Sequence, residues 1–101
     1  MIVYNVTLKV EKDIAAEWLK WMKEEHIPAL MNTGLFTDSR LFRLLEQDEA
    51  DSMTYVAQYF CNSLEDYNTY ISDHAQRMRD WSFQRFGNKF IAFRTIMQVE
   101  S

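Results

Sequence analysis

The sequence predicts an α+β fold, and three observations predict it. Four segments alternate apolar and polar residues with period two, the mark of half-buried strands. Two others carry apolar residues at helical spacing. Only two Gly and one Pro interrupt the chain, so its elements can be long. Their order, β-α-β-β-α-β, is the split βαβ or ferredoxin-like arrangement. It sets two helices on one face of a four-stranded antiparallel sheet. A length of 101 residues suits one domain, residues 1–101. Hydrophobic residues at 48% and aromatics at 15% can build its core without covalent staples.

In residues 2–10, Ile2, Tyr4, Val6, Leu8 and Val10 share one face; Val3, Asn5, Thr7 and Lys9 share the other. Asp13 is the expected N-cap of the first helix. Ile14, Trp18, Trp21, Met22 and Glu25 fall on one arc at about 100° per residue, with Ala15 and His26 at its edge. Pro28 disfavours helical geometry at Ile27, so this helix should end or kink near His26. Pro28 can itself open a short turn of helix, with Gly34 closing the unit. Residues 39–45 read as the second strand, residues 46–52 as an exposed acidic hairpin loop and residues 53–61 as the third strand. Ser63 and Asp66 resemble a capping box. The helix that follows carries Leu64, Tyr67, Ile71, His74, Ala75 and Met78 on one arc, with Trp81 at its edge. Gly87 is its stop signal, and residues 89–99 read as the fourth strand.

Two helices cover one sheet face. The more apolar strand sets, expected beneath them, are Tyr4, Val6 and Leu8; Tyr55, Ala57 and Tyr59; and Phe93 and Met97. The opposite face then mixes apolar residues with Asn5, Gln58 and Arg94. Its apolar members are too many to stand bare, and its polar ones unsuited to a dry core. A homodimer stacked on this face satisfies both, with Asn5, Val56, Gln58, Phe60, Phe90 and Arg94 as interface residues. The competing reading is a solvent-facing sheet with scattered apolar residues. RNA-recognition modules share the topology and stack bases on strand aromatics. Residues 54–60 lack their basic, glycine-containing signature. Eleven Lys and Arg against fifteen Asp and Glu, a net charge of −4, also oppose nucleic-acid binding.

The single cysteine, Cys61, has no internal disulfide partner. No Cys/His spacing suits a metal, and none is expected. No apolar run approaches the ~20 residues that span a bilayer, and no leader is evident, so a cytoplasmic protein without a membrane partner is expected.

His26 sits at the edge of an apolar arc just before the proline, where a near-neutral titrating group is a natural acid or base. Glu25 lies inside the arc, where burial would raise its pKa. These two are the candidate catalytic residues. The ordinary alternatives are a histidine bonded to helix-end carbonyls and a paired carboxylate. Trp18, Trp21, Tyr55, Tyr59 and His74 are candidate lining residues of a cavity between helix and sheet; the same residues are also the material of an ordinary core. No phosphate loop or nucleophile elbow is present.

Met1-Ile2-Val3-Tyr4-Asn5-Val6, Trp21-Met22 leading to His26-Ile27-Pro28, Gly34-Leu35-Phe36, Gln58-Tyr59-Phe60, Tyr70 to His74-Ala75, and Lys89-Phe90 with Ala92-Phe93-Arg94-Thr95 carry a resemblance over nearly the whole chain. The chain resembles short bacterial proteins grouped as domain of unknown function 4286, a family that implies no catalytic residue. The His-x-Pro and later Gly more distantly resemble dimeric α+β barrel proteins. These include cofactor-free monooxygenases of antibiotic biosynthesis, muconolactone isomerases and haem-dependent chlorite dismutases. That resemblance implies a homodimer with facing sheets and often a pocket between sheet and helices. His26 or His74 could in principle ligate haem, but no motif supports it and no cofactor is expected. Two functions follow as expectations. One is a homodimeric, cofactor-free enzyme for a small hydrophobic or aromatic molecule, with a pocket of a few hundred Å³ beside His26. The other is a non-catalytic dimeric binding or interaction module.

Overall fold

The computed structural model describes residues 1–45 and 50–101. Strand β1 (Ile2–Glu11) leads into α1 (Lys12–Trp21), a π-helical turn (Met22–His26) and α2 (Ile27–Met31), which together make one unbroken helical arm. Strands β2 (Asp38–Arg43) and β3 (Ser52–Cys61) follow. A second arm repeats the device: α3 (Leu64–Tyr70), a π-helical turn (Ile71–Ala75) and α4 (Gln76–Phe86). Strand β4 (Phe90–Gln98) closes the sheet, in the order β2-β3-β1-β4 with all neighbours antiparallel. The ferredoxin-like fold expected from the element order is therefore the fold observed. Among the described residues no helix is long and apolar enough to cross a membrane.

Several local expectations need correction. Of the end or kink expected near His26, the first arm shows an interruption without an end: a π-turn closes at His26 and a short helix follows. A proline ring collides with the carbonyl four residues back in a regular helix, and it lacks an N–H. Here the turn widens: the amide of Ile27 donates to the carbonyl of Met22, five residues back, and the helix runs on to Met31. Asp13 is not the N-cap. Glu11 holds that position without a side-chain cap bond, and Asp13, in the first turn, pairs with Lys89 at 2.6 Å. The second arm begins as expected, with Ser63 Oγ accepting from the Asp66 amide at 3.1 Å. Its buried arc is rotated, however: Leu64 is 54% exposed, whereas Tyr70 is 2% exposed. Of the expected acidic loop, residues 46–49 lie outside the described residues; Ser52 belongs to β3 and is buried. Gly87 ends α4 at φ +62°, a backbone state that side-chain-bearing residues rarely adopt.

The core lies between sheet and arms, with Val10, Trp18, Leu30, Tyr59 and Cys61 its largest fully buried side chains. Burial pushes the Cys61 thiol pKa up, and its Sγ lies 3.5 Å from the Ser63 carbonyl it donates to.

The largest correction concerns β4. Its register with β1 pairs Val10 with Phe90, Leu8 with Ala92, Val6 with Arg94 and Tyr4 with Ile96. Phe90 and Arg94 therefore stand on the helix side, not on the uncovered face. Phe93 and Met97 stand on the uncovered face, not beneath the helices. Choosing the more apolar alternation as the core side fails here because the bare face of this strand is the more hydrophobic one. Phe93 is 62% exposed and Ile91 55%. Asn5, Val56, Gln58 and Phe60 lie on the uncovered face as expected. Across it runs a polar row in register: Arg40, Gln58, Asn5 and Thr95. Gln58 Nε2 donates to Asn5 Oδ1 at 3.2 Å, and Asn5 Nδ2 to Thr95 Oγ1 at 3.4 Å. Apolar side chains, Phe60, Val3 and Met97 on one side and Phe42, Val56 and Phe93 on the other, flank the row.

Candidate functional site

The π-turn decides where His26 points. Positions beyond Met22 lag the regular helical rotation, so the arc that should have buried Glu25 admits His26 instead. Glu25 is exposed on the far side, near Arg85 and Glu17. It takes no place in a buried site. The imidazole of His26 stacks on Trp21, with ring centres 4.8 Å apart and planes at 29°. Trp81 of α4 lies 5.6 Å away, and Trp21 meets Trp81 and Phe86 edge-on. Within this aromatic clamp His26 Nδ1 is fully buried, with no hydrogen-bond partner among the described residues. Burial, and secondarily the charge of Arg94, lower the His26 pKa from 6.5 to about 4. The ring is neutral near pH 7.

His26 also lines a cavity between the arms and the sheet. Tyr4 of β1, Tyr59 of β3, Tyr70 of α3, Trp18 of α1 and Met78 of α4 share its wall. Tyr4 packs 6.0 Å from Tyr59 and 5.6 Å from Tyr70. Burial holds the Tyr59 and Tyr70 phenols protonated, well above the usual tyrosine range. Arg79 on α4 and Arg94 on β4 are its exposed lining residues and mark the side facing solvent. The cavity itself is about 40 Å³, and the whole cleft including its open mouth about 470 Å³. The inner space suits one water or a few. It is far below the few hundred Å³ expected for a preformed substrate pocket.

Of the residues expected to line the site, Trp18 and Tyr59 do so. Trp21 backs His26 from outside the cavity. Tyr55 packs on Trp18 at 5.0 Å, with its hydroxyl 3.9 Å from Met53 Sδ, and is a core residue. His74 lies on an outer groove with Trp81, Asn32 and Thr33. Its Nδ1 is 3.0 Å from Arg77 Nη2. Sequence reasoning missed Tyr70, Arg79 and Arg94 as lining residues. Tyr70, three residues after Tyr67, carried a periodic signal; an arginine in a strand carries none until the register with β1 is known. Among the described residues no group of three His, Cys, Asp or Glu could hold a metal.

An antiparallel four-stranded sheet with both arms on one face and a mixed apolar face left bare defines a ferredoxin-like α+β protein. The chain belongs to the family described as Domain of unknown function (DUF4286), whose model matches residues 1–100. No protein of curated function matches it. Among solved structures, a dimeric ferredoxin-like protein from an uncultured marine organism is similar at TM-score 0.69, with 9% identity over 100% of this chain and 96% of that one. An ethyl tert-butyl ether (EthD) family protein from Bacillus halodurans gives TM-score 0.67, with 12% identity over 99% and 100%. SnoaB, a cofactor-independent oxygenase from Streptomyces nogalater, gives 0.64, with 11% identity over 99% and 94%. Likeness at such identity shows the fold alone.

Proposed function

We propose that the chain works as a homodimer, sheet face against sheet face, and that each protomer takes a small molecule into the cleft beside His26. One observation carries the binding reading: Nδ1 of a cavity-lining histidine is buried without a partner among the described residues. Buried polar atoms are nearly always hydrogen-bonded, so this exception favours a partner from outside the chain, reached once the side chains around the ring shift. The dimer reading is supported by the bare face, where apolar strips flank a polar row. Asp38 and Arg40 share that face, so a two-fold axis can set acid against guanidinium. Neighbours described as dimeric agree with it.

Binding takes precedence over catalysis in this reading. A general base works best with a pKa near the operating pH, and that of His26 is about 4. A second reading, a cofactor-free enzyme, is favoured by one arrangement: a neutral imidazole and two protonated phenols around a single cavity. His26 is then the proton carrier, and Tyr59 orients the substrate.

Light scattering after gel filtration tests the assembly. Wild type should run as two chains and Phe93→Glu as one; a wild type that stays monomeric at micromolar concentration refutes the dimer. An NMR screen of small aliphatic and aromatic compounds, read at the His26 ring, tests the site. Compounds that bind should move those resonances, and His26→Ala should lose binding while remaining dimeric. Turnover of a bound compound by wild type and not by His26→Ala would promote the enzyme reading.

A further inference from the structure

We propose that the cleft beside His26 selects a short-chain monocarboxylate, with the acid group at the mouth between Arg94 and Arg79 and the alkyl end among Leu8, Trp18, Met22 and Met78. This rests on the small-molecule reading above and names its ligand class. The first support is the charge of the lining. Arg79 and Arg94 are its only charged members, and no Asp or Glu among the described residues lines it. The chain has fifteen acidic residues, so a cavity rim without one is a local departure from an acidic whole.

The second support is the state of these two arginines. The other arginines are engaged: Arg85 with Glu17 at 3.0 Å, Arg77 with His74 at 3.0 Å and Arg40 over the Phe60 ring at 5.9 Å, and Arg43 also has a partner. Arg79 and Arg94 have no ion pair or hydrogen bond among the described residues. Their charges reach inward, since Arg94 disfavours the His26 cation and both arginines favour ionisation of the Tyr70 phenol. A positive field at a partly desolvated site attracts an anion, and a guanidinium fork suits the two oxygens of a carboxylate.

The third support is shape. Behind the mouth the walls are apolar and aromatic, including Leu8, Trp18, Met22 and Met78. The inner cavity of about 40 Å³ leaves room for a short alkyl end and none for a ring. Flexible Met22 and Met78 can adjust to one or two further carbons.

The test is calorimetry and NMR on the full chain with acetate, propionate and butyrate, beside butyramide, 1-butanol and inorganic phosphate. Butyrate should bind and shift the His26 ring and the Arg94 Nε–H resonances. Butyramide and 1-butanol should bind at least tenfold more weakly. Arg94→Gln and Arg79→Gln should each weaken butyrate about tenfold or more, as loss of a charge-assisted bond does, and remain folded because both positions are exposed. Arg85→Gln, whose side chain lies outside the cavity, should leave binding unchanged. If butyramide or 1-butanol binds as tightly as butyrate, the carboxylate is overturned while the small-molecule reading stands. Phosphate binding as tight as butyrate, with no dependence on chain length, also overturns it. If none of the six probes perturbs His26 or either arginine, the carboxylate proposal falls; the small-molecule reading falls only if the broader screen fails as well.

Discussion

The two helical arms carry the same local device and put it to different ends. Each passes through a π-helical turn, and each turn holds a histidine stacked on an aromatic residue one turn earlier. His26 stacks on Trp21 at 4.8 Å and 29°; His74 stacks on Tyr70 at 6.2 Å and 20°. Both are partly buried as residues, and His74 meets the guanidinium of Arg77. His26 is clamped between Trp21 and Trp81, and its Nδ1 has no hydrogen-bond partner among the described residues. The difference comes from the other arm. Trp81 of the second arm closes over His26, whereas the neighbours of His74 from the first arm, Asn32 and Thr33, border an open groove. A proline is also not required for such a turn. Pro28 follows the first, and the second has none. Local sequence can place a histidine in a π-turn, but tertiary packing decides what its ring meets.

The largest break in this comparison should come from removing the ring beneath His26. Trp21 is almost wholly buried, and Trp21→Ala should cost about 3–5 kcal/mol in chemical denaturation. In the surviving folded fraction the His26 pKa should rise from about 4 toward its ordinary value, read by NMR titration. A pKa that stays near 4 would show that Trp21 does not bury the imidazole.

Next in size is the pH dependence of stability. The folded-state pKa of His26 is depressed from 6.5 to about 4, so the unfolded chain binds more protons between those values. The contribution is full above about pH 6.5, is lost as pH falls through the folded pKa, and amounts to about 3 kcal/mol at about 1.4 kcal/mol per unit. Below that window the Asp13 carboxyl, held down by Lys89, adds a further loss. Denaturation of wild type and His26→Gln at pH 7 and pH 4 measures it. The variant should lose markedly less on acidification, and an equal loss would assign the acid sensitivity elsewhere.

Much of the fold was legible because its signals are local. Period-two alternation placed all four strands, and Ser63 with Asp66 placed the start of the second arm. The site was legible only in part. His26 and Trp18 from the first arm's apolar arc and Tyr59 from strand alternation line one cavity. Glu25 was misread because a π-turn shifts every later position, and a uniform rotation cannot anticipate it. Phe90 and Arg94 were set on the wrong face because hydrophobicity was taken to mark the helix side. On β4 the bare side holds Ile91, Phe93 and Met97, while the side facing the cavity holds an arginine. A strand that serves an uncovered face and a functional cleft inverts the usual pattern, and only the register with β1 reveals it.

The smallest effect, and the sharpest test of the contrast, lies in the second arm. The bond between Arg77 and His74 is exposed, and water can replace either partner. His74→Ala and Arg77→Ala should each change stability by less than about 1 kcal/mol, and their coupling in a double-mutant cycle should be a few tenths. Neither should alter the His26 ring resonances, because His74 and Arg77 border the outer groove and do not line the cavity. A coupling above about 1 kcal/mol, or a shifted His26 signal, would mean that the two π-turns communicate through Trp81, which touches His26 and also borders the outer groove. The arms would then act as one unit, and the groove on the outside would be linked to the cavity within.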